Sequence, residues 1–287
     1  MKIETPEGFS LFGEPLYNPV SYPDPENKQL VKFKQAYQEW EKDPEDREKL
    51  LWLGRQHAYM GKYRDAIHIY TEALKQFPDD PEFIRHRAHR YLSLRMFEYS
   101  IKDSERAVDL MREKPDFMEP SGLAGAEETT EYTFYTNTYY HLGLGYMLNG
   151  DLLNARKAFD DLLDVGVNDD HVIMFCYWNY LILKRLGYDD EAKEVLRHIK
   201  PDMNCPVSGG CYECLKMFKG ELEPEDIIGD KEDQLSLVTT GYGVANEYKF
   251  RGDYDKYVEL LERVVSTNAW SGFGYIAAEV DLKRIKG

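Results

Sequence analysis

The sequence predicts an all-α chain, a solenoid of about five helical hairpins closed by a capping helix at each end. Two observations carry that prediction. Side-chain sizes recur at a period of 34 residues, and the clearest unit carries a glycine in its turn and a proline at its end. The composition, 43% hydrophobic and 31% charged, suits a folded chain rather than a disordered one.

The period is clearest from residue 47. Advancing 34 residues carries Gly54 onto Ala88, Tyr63 onto Phe97, Ala66 onto Ser100 and Ala73 onto Ala107; stepping back carries Pro78 onto Pro44. Small falls on small and aromatic on aromatic. Small residues at Gly54 and Ala66 let two antiparallel helices approach closely, Gly61 supplies a turn, and Pro78 stops the second helix. A third unit carries Gly143, Tyr146, Gly150, Ala155 and Phe159, and a fourth carries Gly187 and Ala192. A fifth carries Ala245, Tyr248, Gly252, Tyr254 and Leu261, and is weaker because bulky Tyr257 takes a small position.

The hairpins are expected over 47–114, 136–200 and 235–268, within an array 47–268. An extended, proline-rich segment fills 1–26. A capping helix is expected in 27–46, with Leu30, Phe33, Tyr37 and Trp40 on one face, and a second over 269–287. Insertions at 115–135 and 201–234 interrupt the array and are expected to fold over a mouth of its groove.

These residues resemble the tetratricopeptide-repeat (TPR) family, on Leu53-Gly54, Tyr63, Ala66, Tyr70, Ala73 and Pro78. The segments RHRAHRYLSLRMFEYSIKDSERA, YYHLGLGYMLNGDLLNA and WSGFGYIAAEVDL resemble a bacterial TPR family of undefined function. The resemblance implies a TPR-type α-α superhelix, a right-handed solenoid, and a role in docking protein partners; it implies little about activity.

In that architecture the first helix of each hairpin lines a concave face. The register puts Arg55, Arg85, His89, Tyr140, Tyr177, Lys184, Tyr242, Asn246 and Lys249 there, a basic, tyrosine-lined stripe in a chain of net charge −16. Such a stripe suits an extended, acidic peptide, and Arg55, Arg85 and His89 are expected exposed as an anion site. A bland alternative is that these are ordinary solvated residues. TPRs that clamp a terminal carboxylate want lysine and asparagine where this chain has Leu51 and Arg55, which disfavours that mode.

The net charge disfavours nucleic-acid and anionic-membrane partners. No stretch approaches the roughly 18 apolar residues that span a bilayer, and the N-terminal residues do not read as a leader, so a cytoplasmic location is expected. His86 and His89 sit in HRAH, amid arginines that oppose a metal ion. Cys205, Cys211 and Cys214, with His198 as a fourth ligand, form a weak zinc candidate; unpaired thiols are the favoured account. No phosphate-loop, dinucleotide or nucleophile-elbow motif is present, so neither cofactor nor catalysis is expected. The acidic run with Glu127, Glu128 and Glu131 reads as solvated. Two alternatives stand beside the scaffold: an all-α, hydrolase-like enzyme with a carboxylate pair in a closed helical pocket, and a self-assembling structural subunit.

Overall fold

The computed structural model describes residues 5–22, 24–124, 132–228 and 234–287, and divides into two compact units, Met1–Gly145 and Tyr146–Gly287. In chain order the elements are β1 (Gly8–Phe9), β2 (Pro15–Leu16), α1 (Lys28–Lys42), α2 (Arg47–Tyr59), α3 (Tyr63–Gln76), α4 (Pro81–Ser93), α5 (Phe97–Met111) and α6 (Phe134–Asn149). Then follow α7 (Leu152–Val165), α8 (Asp169–Leu186), α9 (Asp189–Val195), α10 (Gly209–Phe218), α11 (Pro224–Ile227), α12 (Gln234–Phe250), α13 (Tyr254–Val265) and α14 (Phe273–Lys286). The five expected hairpins are α2–α3, α4–α5, α6–α7, α8–α9 and α12–α13. Of the two insertions, residues 125–131 and 229–233 lie outside the described residues, and Glu127, Glu128 and Glu131 with them.

Local chemistry sets the helix ends. The side chains of Asn27, Asp46, Asp80, Asp151, Asn168 and Asp253 each accept a backbone N–H from the first turn of the helix that follows. The turns inside the five hairpins each hold a residue in the left-handed region: Gly61, Arg95, Gly150, Gly187 and Gly252. Four are glycine, for which that conformation is cheap. The fifth, Arg95 (φ 63°), is held by a nearly buried side chain whose guanidinium donates to Ser93 O at 2.6 Å.

In the first unit the small positions do what their size implies. A Cβ on Gly54 would lie 2.2 Å from Cε1 of Tyr70, so α2 lies directly against the Tyr70 ring of α3. Tyr70, 1% exposed, then meets Phe83 and His86 of the next hairpin, at ring distances of 6.3 and 5.9 Å. Ala66, Ala73, Leu51 and Phe83 complete this core. The β1–β2 hairpin is antiparallel, and beyond it Asn18 donates to Met60 O at 2.9 Å and accepts from Val20 N, tying the N-terminal segment to the α2–α3 turn.

In the second unit α8 is buried along most of its length. The insertion contributes α10, which packs against α8 and α12; Phe218 stacks on Tyr180 at 4.4 Å and on Tyr177 at 6.4 Å. Terminal helix α14 packs on α12 and α13, close enough that a Cβ on Gly274 would stand 2.0 Å from Val238 O. At this junction the side chain of Arg185, from α8, is nearly buried. Its Nη2 donates to Asp281 Oδ2 (2.5 Å), to Asn246 Oδ1 (3.0 Å) and to the Tyr242 hydroxyl. Tyr242 and Tyr257 both donate to the same Asp281 oxygen at 3.0 Å.

Two outcomes follow for stability, both read from urea unfolding. Gly54→Ala forces a methyl into the Tyr70 ring and is expected to cost about 1–3 kcal/mol; Gly187→Ala meets open space and is strained only by its backbone, about 1 kcal/mol. Equal costs would mean that the α2–α3 approach is not tight. Asp281→Ala strands the Arg185 guanidinium and is expected to cost about 3–5 kcal/mol, whereas Lys184→Ala, removing a pair with the exposed Asp189, costs under about 1 kcal/mol. An Asp281→Ala effect as small as that of Lys184→Ala would show that Arg185 finds another partner.

Candidate functional site

Three helices of the first unit put polar side chains on one face: α2 with Arg55 and Gln56, α4 with Arg85, His86 and His89, and α6 with Asn137 and His141. The arginines come from the expected stripe, but they are not exposed as expected. Arg55 is 6% and Arg85 5% exposed, because the first insertion runs across them.

That insertion is anchored at its base. Phe117 O accepts from Phe134 N at 2.9 Å, Glu119 N donates to Tyr132 O at 3.0 Å, and the Phe117 and Phe134 rings stack at 5.4 Å. Beyond the anchor, Glu119 turns inward and is 7% exposed. Its carboxylate accepts from Arg85 Nη2 at 2.5 Å and from Asn137 Nδ2, and His86 Nε2 stands 3.4 Å from its other oxygen. Pro120 O accepts from Arg55 Nη2 at 2.5 Å. Gly122 O accepts from Gln29 and Gln56 at 3.3 and 3.2 Å, and Leu123 O from Lys32 at 3.2 Å. Ala124 N donates to Gln29 Oε1 at 2.9 Å. Gly122 is required there, since a Cβ would lie 2.2 Å from the Tyr59 ring.

The electrostatics are those of a dry, positively charged surface. Burial alone raises the Glu119 carboxyl, but the Arg85 guanidinium outweighs it and holds Glu119 ionised, well below the usual carboxylate range. Burial, reinforced by Arg85, lowers His86 to about 3, so its Nδ1 is free to accept from Arg85 Nη1 at 2.8 Å. His89 and His141, ring centroids 4.0 Å apart, are likewise pushed well below the ordinary histidine range, chiefly by burial, then by Arg90 and Arg85 respectively.

The remaining expected groove residues serve other ends. Tyr140 is half-buried and meets the His141 ring edge-on. Tyr177, Tyr242 and Asn246 are at most 1% exposed: Tyr177 packs under Phe218, and the other two complete the Arg185 network. They are interior residues, because α10 and α14 fill the surface they were expected to line. Lys184 pairs with Asp189 and lies 5.4 Å over the Phe250 ring. Lys249 lies 4.9 Å over Tyr257, its ammonium lowered by burial and then by Arg185.

The zinc candidate does not assemble. Cys211 and Cys214 are buried on α10, with the Cys211 thiol pushed up to about 12 by burial, and His198 lies edge-on to Phe175. Among the described residues no three His, Cys, Asp or Glu side chains come together to hold a metal.

Sequence reasoning overlooked Glu119, Gln29, Gln56, Asn137 and Asp281. Glu119 carried a usable signal, a glutamate beside proline and glycine in a loop expected to cover a basic face. The others are ordinary polar residues on helices, and only the packed structure picks them out.

The histidines fix a pH dependence. Their folded-state pKa values lie below the unfolded value near 6.5, so the unfolded chain takes up more protons and stability falls as pH drops below about 6.5. Glu119 acts with the same sign below its ordinary value of 4.5. The melting temperature is therefore expected to fall from pH 7 to pH 5, and the slope to flatten in a His89→Gln/His141→Gln variant; an equally steep slope there would locate the titration elsewhere.

Comparison with known proteins places this architecture. Residues 50–80, which contain the α2–α3 hairpin from its fourth residue, match the tetratricopeptide repeat family. Hsp70-Hsp90 organizing protein 2 of Arabidopsis thaliana is 35% identical over 80 residues, 27% of this chain and 14% of that protein, so the match spans only a small part of the relative's length. Among solved structures, a tetratricopeptide repeat protein from Parabacteroides merdae aligns with a TM-score of 0.52 at 16% identity, covering 87% of this chain and 92% of its own. A chain of the APC/C hetero-tetramer Cut9–Hcn1 aligns at 0.51 and 13%, covering 91% of this chain and 41% of its own. At such identities the structural likeness speaks for the fold alone. Residues 50–80 thus match the tetratricopeptide repeat family, and the chain as a whole has an all-α fold of successive helical hairpins like that of its structural neighbours.

Proposed function

We propose that the chain is a non-catalytic scaffold that takes up an extended, acidic segment of a partner protein on the α2–α4–α6 face, with Arg55 and Arg85 as the anion-binding residues and His89 and Tyr140 beside them. The TPR fold is a protein-interaction fold, which supports the general class. The finer reading rests on one observation: this face holds an extended strip of polypeptide by its carbonyls and by one carboxylate. Guanidinium groups suit that task, since their planar N–H arrays match carboxylate and carbonyl oxygens.

Charge speaks against acid catalysis by the carboxylates of the two buried ion pairs. A general acid at neutral pH needs a carboxyl raised toward the working pH, whereas Glu119 is held ionised by Arg85, and Asp281 pairs with Arg185 and accepts from two tyrosines. A cavity of about 350 Å³ between α1, α2 and α3 has Tyr37, Trp40, Leu50, Leu53 and Ile69 in its lining and Asp65 and Glu72 at its rim. Those carboxylates repel an acidic segment, which favours the arginine face. Among the described residues no helix is long and apolar enough to cross a membrane. The chain's strong negative charge agrees with a protein partner rather than a nucleic acid.

Selection from a random displayed peptide library on the full chain tests the proposal. Enriched peptides are expected to share a glutamate or aspartate at a fixed position, and to be lost when the selection is repeated on Arg85→Ala. Peptides without acidic preference, or the same set on both proteins, would overturn it.

A further inference from the structure

Building on the proposed acidic-segment site, we infer that residues Glu119–Ala124 are a displaceable, built-in occupant of it, and that the partner segment is an extended stretch presenting one glutamate to Arg85 and Asn137 and its following carbonyls to Arg55, Gln56 and Gln29.

Four observations lead there. First, the face reads backbone: apart from the Glu119 carboxylate, its contacts from Pro120 to Ala124 go to three carbonyls and one N–H, groups that an extended chain carries, with a glycine where Gly122 meets Tyr59. Second, the segment is not held by burial of its larger apolar side chains. Beyond the stacked base, the one large apolar side chain of Glu119–Ala124 is Leu123, 49% exposed, so the hold there is mostly polar and is replaceable contact for contact. Third, the occupant leaves the face incompletely satisfied. Among the described residues, the buried Nε of Arg55 and the buried Nε of Arg85 find no acceptor, so a segment with better-placed oxygens gains where this one does not.

Fourth, the charge dictates who is able to displace it. A segment that takes the place of Glu119 buries Arg85 again, and without a carboxylate it leaves that guanidinium buried and unpaired, a strongly unfavourable state. A partner without a carboxylate must create that state; a partner with one exchanges pair for pair. The occupant thus acts as a selectivity filter, excluding neutral segments and lowering the apparent affinity for acidic ones by competition from within the same chain. Intramolecular competition is potent because the tether holds the competitor at a high effective concentration.

The test uses the full chain and a fluorescent nine-residue peptide with the sequence of Asp116–Ala124, DFMEPSGLA, followed by anisotropy. Two variants loosen the occupant by different means. Glu119→Gln removes its charge, and Gly122→Val drives a side chain into the Tyr59 ring while leaving Arg85 and Glu119 untouched. Both are checked for unchanged helicity by circular dichroism, and Gly122→Val stands alone if Glu119→Gln fails to fold. The loosened proteins are expected to bind the peptide at least about tenfold more tightly than wild type, and a peptide with glutamine for its glutamate at least about tenfold more weakly. Measurable peptide binding that is no tighter in the folded variants overturns the built-in occupant while leaving the acidic-segment site standing. Binding that ignores the peptide's glutamate overturns the carboxylate as determinant. Absence of binding to wild type and to both variants removes the acidic-segment site itself, and this inference with it.

Discussion

An arginine taken out of water needs acceptors for its guanidinium, and in each unit of this protein one such arginine meets a carboxylate. In the first unit Arg85 stands on α4, a repeat helix, and its partner Glu119 comes from an insertion between repeats. In the second, Arg185 stands on α8, also a repeat helix, and its partner Asp281 comes from the terminal helix α14. Repeat helices supply the cation and segments foreign to the repeat supply the anion. Removing either charge alone leaves the other buried, which is why these pairs bind the extra segments to the array so specifically, whatever their net contribution to stability.

The two pairs differ in what surrounds them. Asp281 sits on a helix whose backbone presses on α12 and accepts from two tyrosines besides Arg185, so it belongs to a packed interior. Glu119 sits on irregular chain that is held beyond its stacked base by polar contacts, with Leu123 half exposed. The same charge chemistry thus serves a permanent joint in one unit and a polar, exchangeable contact in the other. The three lowered histidines next to Arg85 follow from that setting: beside a guanidinium and out of water, an imidazole is stable only when neutral.

The inner surfaces explain where site reasoning from a repeat register stops. Register gives the face a residue points to, and that part was legible: Arg55 and Arg85 do lie together. It does not say what covers the face. Tyr177, Tyr242 and Asn246 have the same register as the arginines and became interior residues because α10 and α14 lie on them. A regular array of first helices is an open surface only if nothing inserted between the repeats returns to fill it, and here both insertions contribute to the filling.

The sequence by itself determined the hairpins. Gly54, Ala66 and Ala73 recur in step with Ala88, Ser100 and Ala107, and side-chain size is a local property that constrains how closely two helices pack whatever else the chain does. It also marked most of the turns, because a left-handed backbone favours glycine; Arg95 went unmarked because its conformation is held by contacts that only folding supplies. The tertiary structure alone decided which cations would be covered and by what. The meeting of Glu119 with Arg85, or of Asp281 with Arg185, joins residues 34 and 96 positions apart. No periodicity encodes such a pairing, because it depends on where an irregular segment or a terminal helix comes to rest.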